Sequence, residues 1–342
     1  MLMIGIAGTE LEDRERDLLH ADAVSGLVLF ARNYRCRTQL QDLIADLRGT
    51  RTDAGFVIAV DQEGGTVQRF RGDGFTRLPP LAALGALYDR DPQRARALAE
   101  EHAWVMASEL RTVDVDISFA PVLDLARGSR VIGSRALHAD PGVVADLADA
   151  YVRGMHLAGM AVTLKHFPGH GSVAGDTHVE TASDPRPLQS IRARDMRPFV
   201  ECIGLGVEAV MMAHVIYPCV DTVPASQSPV WIGSILREEL GFDGLVFSDD
   251  ISMHGAGHDG HLGERVQAHL AAGCDLVLAC QPEAVAPALS AVSTLGARPC
   301  PADRLITLRG TVAGTWDALV DNPQRDTFIS RLGVLDSEAD LS

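Results

Sequence analysis

The residues best suited to chemistry lie in the segment 165–178, which holds a lysine, an aspartate and three histidines within fourteen residues. Three glycines and one proline interrupt this segment, so we predict a loop and not a helix. The apolar run 160–164 leads directly into it and predicts a short buried strand. The alternative is a surface loop with incidental histidines, but a solvated loop has no need for so many titratable groups beside an apolar strand. We therefore expect an active site at the end of this strand.

Asp249 is the candidate nucleophile. It follows the apolar run 244–247 and Ser248, which predict a second buried strand. A carboxylate at the end of a buried strand is partly desolvated, and this is costly unless the group is used or paired. With no thiol or activated serine nearby, Asp249 is suited to attack on the anomeric carbon of a sugar. The alternative is that it caps the next helix, although Asp250 or Ser252 could serve there equally well.

His178 is the candidate general acid and base. It stands two residues after Asp176 in the glycine-rich part of the segment. A histidine held by a carboxylate has its tautomer fixed and its protonated form favoured, and it can therefore exchange protons near neutral pH. The alternative is an exposed histidine on a mobile loop.

Further polar side chains follow other apolar runs and are of types that bind sugar hydroxyls or carboxylates. They are Asp61, Arg69, Arg135, Lys165 and His166. Each alone could form a structural ion pair. Placed together at one end of a sheet, they predict a pocket for a polar ligand.

A metal centre is the rival interpretation, because histidines and aspartates in a barrel can bind a hydrolytic metal. Barrel enzymes of that kind usually carry a His-x-His pair at the end of the first strand, where this sequence has residues 7–9 without a ligand. His166 and His170 have helical spacing, but Pro168 between them forbids a regular helix. We therefore expect no metal and no other cofactor.

Eight short apolar runs alternate with helical patterns, and this alternation predicts the fold. The runs are 3–7, 26–31, 56–60, 116–122, 160–164, 209–213, 244–247 and 276–279. They are almost continuously apolar, as strands buried on both faces should be. Helices are predicted to begin at the Asp-Pro pairs 91–92 and 140–141 and to cover 188–205, 228–241 and 263–272. We predict an α/β fold, a single (β/α)8 TIM-type barrel with C-terminal closing helices.

Composition excludes several classes of function. The 342 residues contain 46% hydrophobic and 22% charged residues with a net charge of −16, so neither nucleic acid nor an anionic membrane surface is expected as a partner. The six cysteines show no CxxC pair, and no run reaches the length of a membrane span. We expect one cytoplasmic catalytic domain over residues 1–342, with a core to about 308 and closing helices and an acidic tail over 309–342. We expect it to act as a monomer.

Several motifs resemble the cytoplasmic β-N-acetylhexosaminidases of glycoside hydrolase family 3, the NagZ type. The matching segments are KHFPGHG (165–171), DTH (176–178), FSDDISM (247–253), DQEGG (61–65), QRF (68–70) and SFAPV (118–122). They occur in the family's order, and the resemblance spans nearly the whole chain.

This resemblance implies a single barrel that performs retaining hydrolysis of terminal β-linked N-acetylglucosamine. It implies that Asp249 is the nucleophile, with Asp250 excluded, and that His178 is the acid/base with the assistance of Asp176. The positions of Asp61, Arg69, Arg135, Lys165 and His166 would hold the sugar. The implied substrates are peptidoglycan fragments, N-acetylglucosaminyl-1,6-anhydro-N-acetylmuramic acid with or without peptide, in cell-wall recycling.

Three alternatives stay open at this point. A histidine acid carries no negative charge after it gives up its proton, so an anionic acceptor would not be repelled and a phosphorylase is possible. A β-glucosidase could use the same scaffold. A non-catalytic sugar-binding protein is the third, although a binder needs neither Asp249 nor the Asp176–His178 pair. Ser134 stands where relatives often have an acid. This departure affects how the neighbouring Arg135 is placed, but not its presence.

Overall fold

The structure is a computed structural model, in which residues 1–173, 182–256, 261–296, 299–311 and 314–339 are described, with side chains as far as Leu335. Within these residues, eight strands form one parallel sheet. They are β1 (Leu2–Ile4), β2 (Val24–Leu29), β3 (Val57–Val60), β4 (Ile117–Ser118), β5 (Thr163–Phe167), β6 (Ala209–Met212), β7 (Leu245–Asp250) and β8 (Leu276–Ala279).

The sheet closes on itself between β4 and β5. From one edge to the other the strand order is β4-β3-β2-β1-β8-β7-β6-β5, and all neighbours run parallel. The backbone N–H of Lys165 then donates to the carbonyl of Pro121 at 3.2 Å, and that of Thr163 donates to Ala120 at 3.1 Å. Further parallel bridges join Ile117 with Ala161 and Val122 with Lys165. The predicted (β/α)8 barrel is confirmed.

Helices surround the barrel. Their bounds are α1 (Asp13–Leu19), α2 (Arg37–Thr50), α3 (Leu81–Tyr88), α4 (Pro92–Thr112), α5 (Pro141–Leu157), α6 (Leu188–Ala193), α7 (Arg197–Ile203), a π-helix (Val230–Glu239), α8 (Leu262–Ala272), α9 (Pro282–Leu295), α10 (Ala302–Leu305), α11 (Trp316–Val320) and α12 (Pro323–Ala339). The last two are the predicted closing helices.

Local sequence sets the ends of the two longest barrel helices, α4 and α5. The carboxylate of Asp91 accepts from the N–H of Arg94 at 3.0 Å, and that of Asp140 accepts from Gly142 at 2.7 Å. Both satisfy amides that the first helical turn leaves without a partner. Gly159 follows α5 with a φ of +73°, a conformation that a side chain would disfavour, and so ends the helix.

The single helix predicted over 188–205 is wrong, because the structure has α6 and α7 with a break between them. Pro198 stands at the start of α7, where its missing N–H costs nothing; inside a continuous helix it would remove a hydrogen bond. Asp195, in the break, turns its carboxylate inward to Arg186 at 2.8 Å.

Two strands also extend beyond their predicted ends. β5 and β7 were predicted to end at residues 164 and 247, but they continue to Phe167 and Asp250. The apolar run in the sequence ends where polar side chains begin, but the pairing of the backbone with the neighbouring strand continues. Lys165 pairs with Met211, and Asp250 pairs with Leu278. Lys165, His166 and Asp249 therefore lie on the last residues of strands and not in the loops that follow them.

The core has two layers that reflect the alternation of side chains along each strand. In β3, Val57 and Ala59 point into the barrel, whereas Ile58 and Val60 pack in the outer layer beneath the helices. Both layers are apolar, which explains the continuously apolar runs of the sequence. None of the described helices combines the length and apolar content that a membrane span requires.

Candidate active site

A pocket of about 380 Å³ opens at the carboxyl ends of the barrel strands. Its charged and imidazole-bearing lining residues are Asp61, Arg69, Arg135, Lys165, His166, His170, Asp249 and Asp250. Six of the eight candidate residues named from the sequence are thus brought together, although they are far apart in the chain. The other two, Asp176 and His178, lie outside the described residues.

Aromatic and apolar side chains form the floor of this pocket. Phe119 lines it and packs edge-to-face on Phe247, with 5.3 Å between the ring centroids. Both rings belong to the inner core of the barrel. Met211 and Leu278 complete the floor. Polar walls above an apolar floor suit a ligand that has both hydroxyl groups and an apolar face.

One wall is a network of buried ion pairs. The Nζ of Lys165 lies 2.7 Å from Oδ1 of Asp61 and 2.6 Å from Oε1 of Glu63. Arg135 binds the same glutamate through both carboxylate oxygens, with Nη2 to Oε1 at 2.7 Å and Nε to Oε2 at 2.8 Å. Burial by itself would raise the pKa of Glu63, but the charges of Arg135 and Lys165 outweigh burial and hold that pKa below its usual value.

Asp61 and Arg69 continue this wall toward the opening. The Nη2 of Arg69 lies 3.3 Å from Oδ2 of Asp61. Burial favours the neutral form of Asp61, yet the charges of Lys165 and Arg69 keep its pKa well below the usual range. The buried Nε of Arg69 has no hydrogen-bond partner among the described residues.

His166 is held from below by Asp124. Its Nδ1 lies 2.7 Å from Oδ2 of Asp124, and because a carboxylate only accepts, this ring nitrogen carries the proton. Oδ1 of Asp124 accepts from the backbone N–H of His170 at 2.6 Å. Burial would raise the pKa of Asp124, but the interaction with His166 lowers it below the usual value. The other ring nitrogen of His166 faces the pocket, 4.0 Å from Oδ2 of Asp249.

Asp249 presents an ionised carboxylate to the pocket. Burial by itself would raise its pKa, but the imidazoles of His166 and His214 and the N–H of Asp250 together lower it below the usual value. That N–H donates to Oδ1 of Asp249 at 2.8 Å. The carboxylate is thus oriented by its own backbone and is charged at neutral pH.

Asp250 has a different environment from its neighbour. Its Oδ1 accepts from the N–H groups of Ser252 at 3.0 Å and Cys280 at 3.2 Å, and burial raises its pKa. The turn after β7 is therefore fixed by Asp250, which takes the structural role that was the alternative for Asp249. His214 supports the same turn by donating from Nε2 to the carbonyl of Asp250 at 3.1 Å.

Sequence reasoning did not select Glu63, Asp124 or His214 as site residues. His214 directly follows the apolar run 209–213, whereas Glu63 and Asp124 stand within three residues of the ends of the runs 56–60 and 116–122, and this position was the available signal. The sequence could not show which polar side chains after a strand turn inward. In the described part of the chain, no three histidine, cysteine or acidic side chains surround a common metal position.

Fold and site define a barrel enzyme whose polar pocket is suited to a sugar. The model of the glycosyl hydrolase family 3 N-terminal domain matches residues 1–298. A beta-hexosaminidase of Stenotrophomonas maltophilia (strain R551-3) is 57% identical over 332 residues, which cover 97% of this chain and 98% of the relative. One of Xylella fastidiosa (strain 9a5c) is 54% identical with the same coverage.

Solved structures show the same similarity. NagZ from Neisseria gonorrhoeae in complex with N-trifluoroacetyl-D-glucosamine superimposes with a TM-score of 0.90 at 38% identity, with 98% of this chain and 97% of that chain covered. The same protein in complex with zinc ion gives a TM-score of 0.88. The chain therefore belongs to glycoside hydrolase family 3 and, within it, to the NagZ type. It is a glycoside hydrolase that acts on a carbohydrate.

Proposed function

We propose that the protein is a retaining exo-β-N-acetylglucosaminidase. The observation that carries this proposal is the ionised carboxylate of Asp249 in one pocket with Asp61, Arg69, Arg135, Lys165 and His166. A charged nucleophile beside donors and acceptors for sugar hydroxyls is what glycosyl transfer to a carboxylate requires. The complex of the Neisseria protein with an N-acylated glucosamine supports a 2-acylamino sugar as the preferred ligand.

In the first step, Asp249 attacks the anomeric carbon, and the bond to the leaving oxygen breaks. His178 gives its proton to that oxygen, so the products are a glycosyl ester on Asp249 and a neutral alcohol. In the second step the neutral His178 removes a proton from water, which attacks the same carbon; the bond between that carbon and Asp249 breaks, and the free sugar, the Asp249 carboxylate and protonated His178 result. Two inversions retain the β configuration. Asp176 is proposed to hold His178 in the tautomer that this exchange needs.

The remaining residues are proposed to hold the sugar during both steps. Lys165, Arg69 and Arg135 donate hydrogen bonds, Asp61 accepts them, and His166 presents one ring nitrogen to the pocket. Such contacts lower the barrier only where they strengthen as the ring flattens in the transition state. Lys165 and His166 lie on a barrel strand, and ion pairs hold Asp61, Arg69 and Arg135, which is consistent with that requirement.

We propose peptidoglycan fragments as the substrate class, namely N-acetylglucosaminyl-1,6-anhydro-N-acetylmuramic acid with or without peptide, in cell-wall recycling. This finer assignment rests on the resemblance of the motifs to the cytoplasmic NagZ-type enzymes. A cytoplasmic monomer, a single catalytic domain over 1–342 and a reaction without a cofactor are parts of the same proposal.

The decisive assay compares initial rates on an aryl N-acetyl-β-glucosaminide and on the matching β-glucoside, each with and without phosphate and with a chelator. We expect turnover of the acetamido sugar alone, without influence of phosphate or chelator. A rate that rises with phosphate and a sugar-phosphate product would instead indicate a phosphorylase. Mass spectrometry of acid-quenched enzyme should detect the glycosyl adduct on the peptide that contains Asp249, and its absence under saturating turnover of a fluorosugar substrate would contradict the covalent step.

A further inference from the structure

Glu63 is a buried carboxylate for which the proposed mechanism has no direct use. Its exposed fraction is 1%, and it does not line the pocket. It contacts two cations that do, Lys165 at 2.6 Å and Arg135 at 2.7 and 2.8 Å. We propose that Glu63 is a positioning residue, which binds the sugar indirectly by aiming Lys165 and Arg135 into the pocket. This inference rests on the proposed function.

The backbone around Glu63 is rigidly placed. It lies in the short hairpin Gln62–Gly64 and Val67–Gln68 that follows β3. Gly64 has a φ of +102°, and a Cβ there would lie 2.6 Å from the carbonyl of Pro79, so the turn can approach its neighbour only as glycine. The backbone therefore holds Glu63 in one position, where its carboxylate can orient the side chains of Lys165 and Arg135.

Arg135 depends on such an anchor more than Lys165 does. Lys165 is on β5, within the barrel wall, but Arg135 ends the 3₁₀ turn Gly133–Arg135 in the connection between β4 and α5. Toward the other described residues, its guanidinium makes one further hydrogen bond, a long one of 3.4 Å to the carbonyl of Val131. The bidentate pair with Glu63 therefore fixes both the guanidinium and this connection, whose Val131 and Ile132 also line the pocket.

A glutamine at this position could not replace the carboxylate, although it has nearly the same shape. The two oxygens of Glu63 accept from Lys165 and from two nitrogens of Arg135. The amide would offer one oxygen, and its NH₂ group would face a second donor. Whichever way the amide is turned, Arg135 loses one bond of its bidentate pair, and its guanidinium is free to turn toward another acceptor.

The test is Glu63→Gln in the full chain, compared with wild type by KM, kcat and the inhibition constant of N-acetylglucosamine. We expect KM and the inhibition constant both to rise at least tenfold. A merely structural role would lower Tm without moving either constant. Glu109→Gln is the matched control. Glu109 lies on α4, outside the pocket; it is 2% exposed and pairs with Arg325 of α12 at 2.7 Å. It should lower Tm and leave KM within twofold of wild type.

Glu63→Asp decides the matter if the glutamine variant does not fold. It keeps the buried charge, but its carboxylate lies about 1.5 Å farther from the two cations. We expect KM to rise here too, whereas a wild-type KM would show that charge alone matters and would overturn the positioning role. An unchanged KM in Glu63→Gln would overturn it as well. Wild-type turnover of the aryl N-acetyl-β-glucosaminide is read separately, and its absence would instead contradict the proposed function.

Discussion

The contact between Asp124 and His166 allows a sharp prediction about Asp124→Asn. The new amide can keep its oxygen toward the N–H of His170, which lies 2.6 Å from the carboxylate in the wild-type structure. Its NH₂ group would then face the Nδ1–H of His166, which lies 2.7 Å from the other carboxylate oxygen. Two donors cannot bond, so the imidazole must move its proton to Nε2 or rotate. In the first case the ring nitrogen that faces Asp249 would become a hydrogen-bond donor, and in the second it would leave its position beside Asp249.

The size of the effect follows from the bond that is lost. A hydrogen bond to a charged group contributes about 1.5–3 kcal/mol. If this whole amount is felt in the transition state, kcat/KM falls by about tenfold to about a hundredfold. The assay is kcat/KM on an aryl N-acetyl-β-glucosaminide, together with ¹⁵N NMR of the histidine side chains, which reports the tautomer of His166.

Asp116→Asn is the matched control for this experiment. Asp116 has the same burial, 0% exposed, and pairs with Arg48 at 2.7 Å and Arg309 at 3.0 Å. It directly precedes β4 and so lies at the opposite end of the barrel. We expect it to lower stability with kcat/KM within twofold of wild type. A folded Asp124→Asn enzyme with wild-type kcat/KM would refute the reasoning about His166.

Three further predictions concern catalysis and acid stability. Asp249→Ala should abolish turnover of aryl and natural sugars, and near-normal activity would refute the assignment of the nucleophile. His178→Ala should slow natural sugars far more than aryl glycosides, whose leaving groups need little protonation; equal losses on both would count against an acid role. The free energy of unfolding, measured with urea, should fall from about pH 5 toward pH 3, because the pKa values of Glu63, Asp124 and Asp249 are lowered in the fold in spite of burial. A carboxyl group with a lowered pKa contributes its full stabilisation above the unfolded value of about 4 and loses it as the pH falls toward the folded value. Burial raises the pKa values of Glu109 and Asp250 and so opposes this trend, and a stability that rises toward pH 3 would show that these two dominate.

Much of the fold could be predicted because its signals are local. The two Asp-Pro helix starts and Gly159 act on backbone groups within a few residues of themselves, and the structure has them where the sequence predicted. The apolar runs predicted eight strands because a barrel strand is buried on both faces. The split between α6 and α7 was missed although Pro198 is a local signal for a helix start, and in the break the burial of Asp195 overrides the helical pattern.

The sequence by itself determined which residue types stand at the carboxyl ends of the strands. It placed Asp249 and Lys165 beside apolar runs, and in a barrel all such ends meet at one mouth. Only the tertiary structure decided how these groups are paired. Glu63 and Asp61 both turn toward Lys165, more than a hundred residues away in the chain, and this pairing depends on sheet register. Ion pairs and the pKa values that they set are properties of distances in space, and these distances are fixed only when the barrel closes.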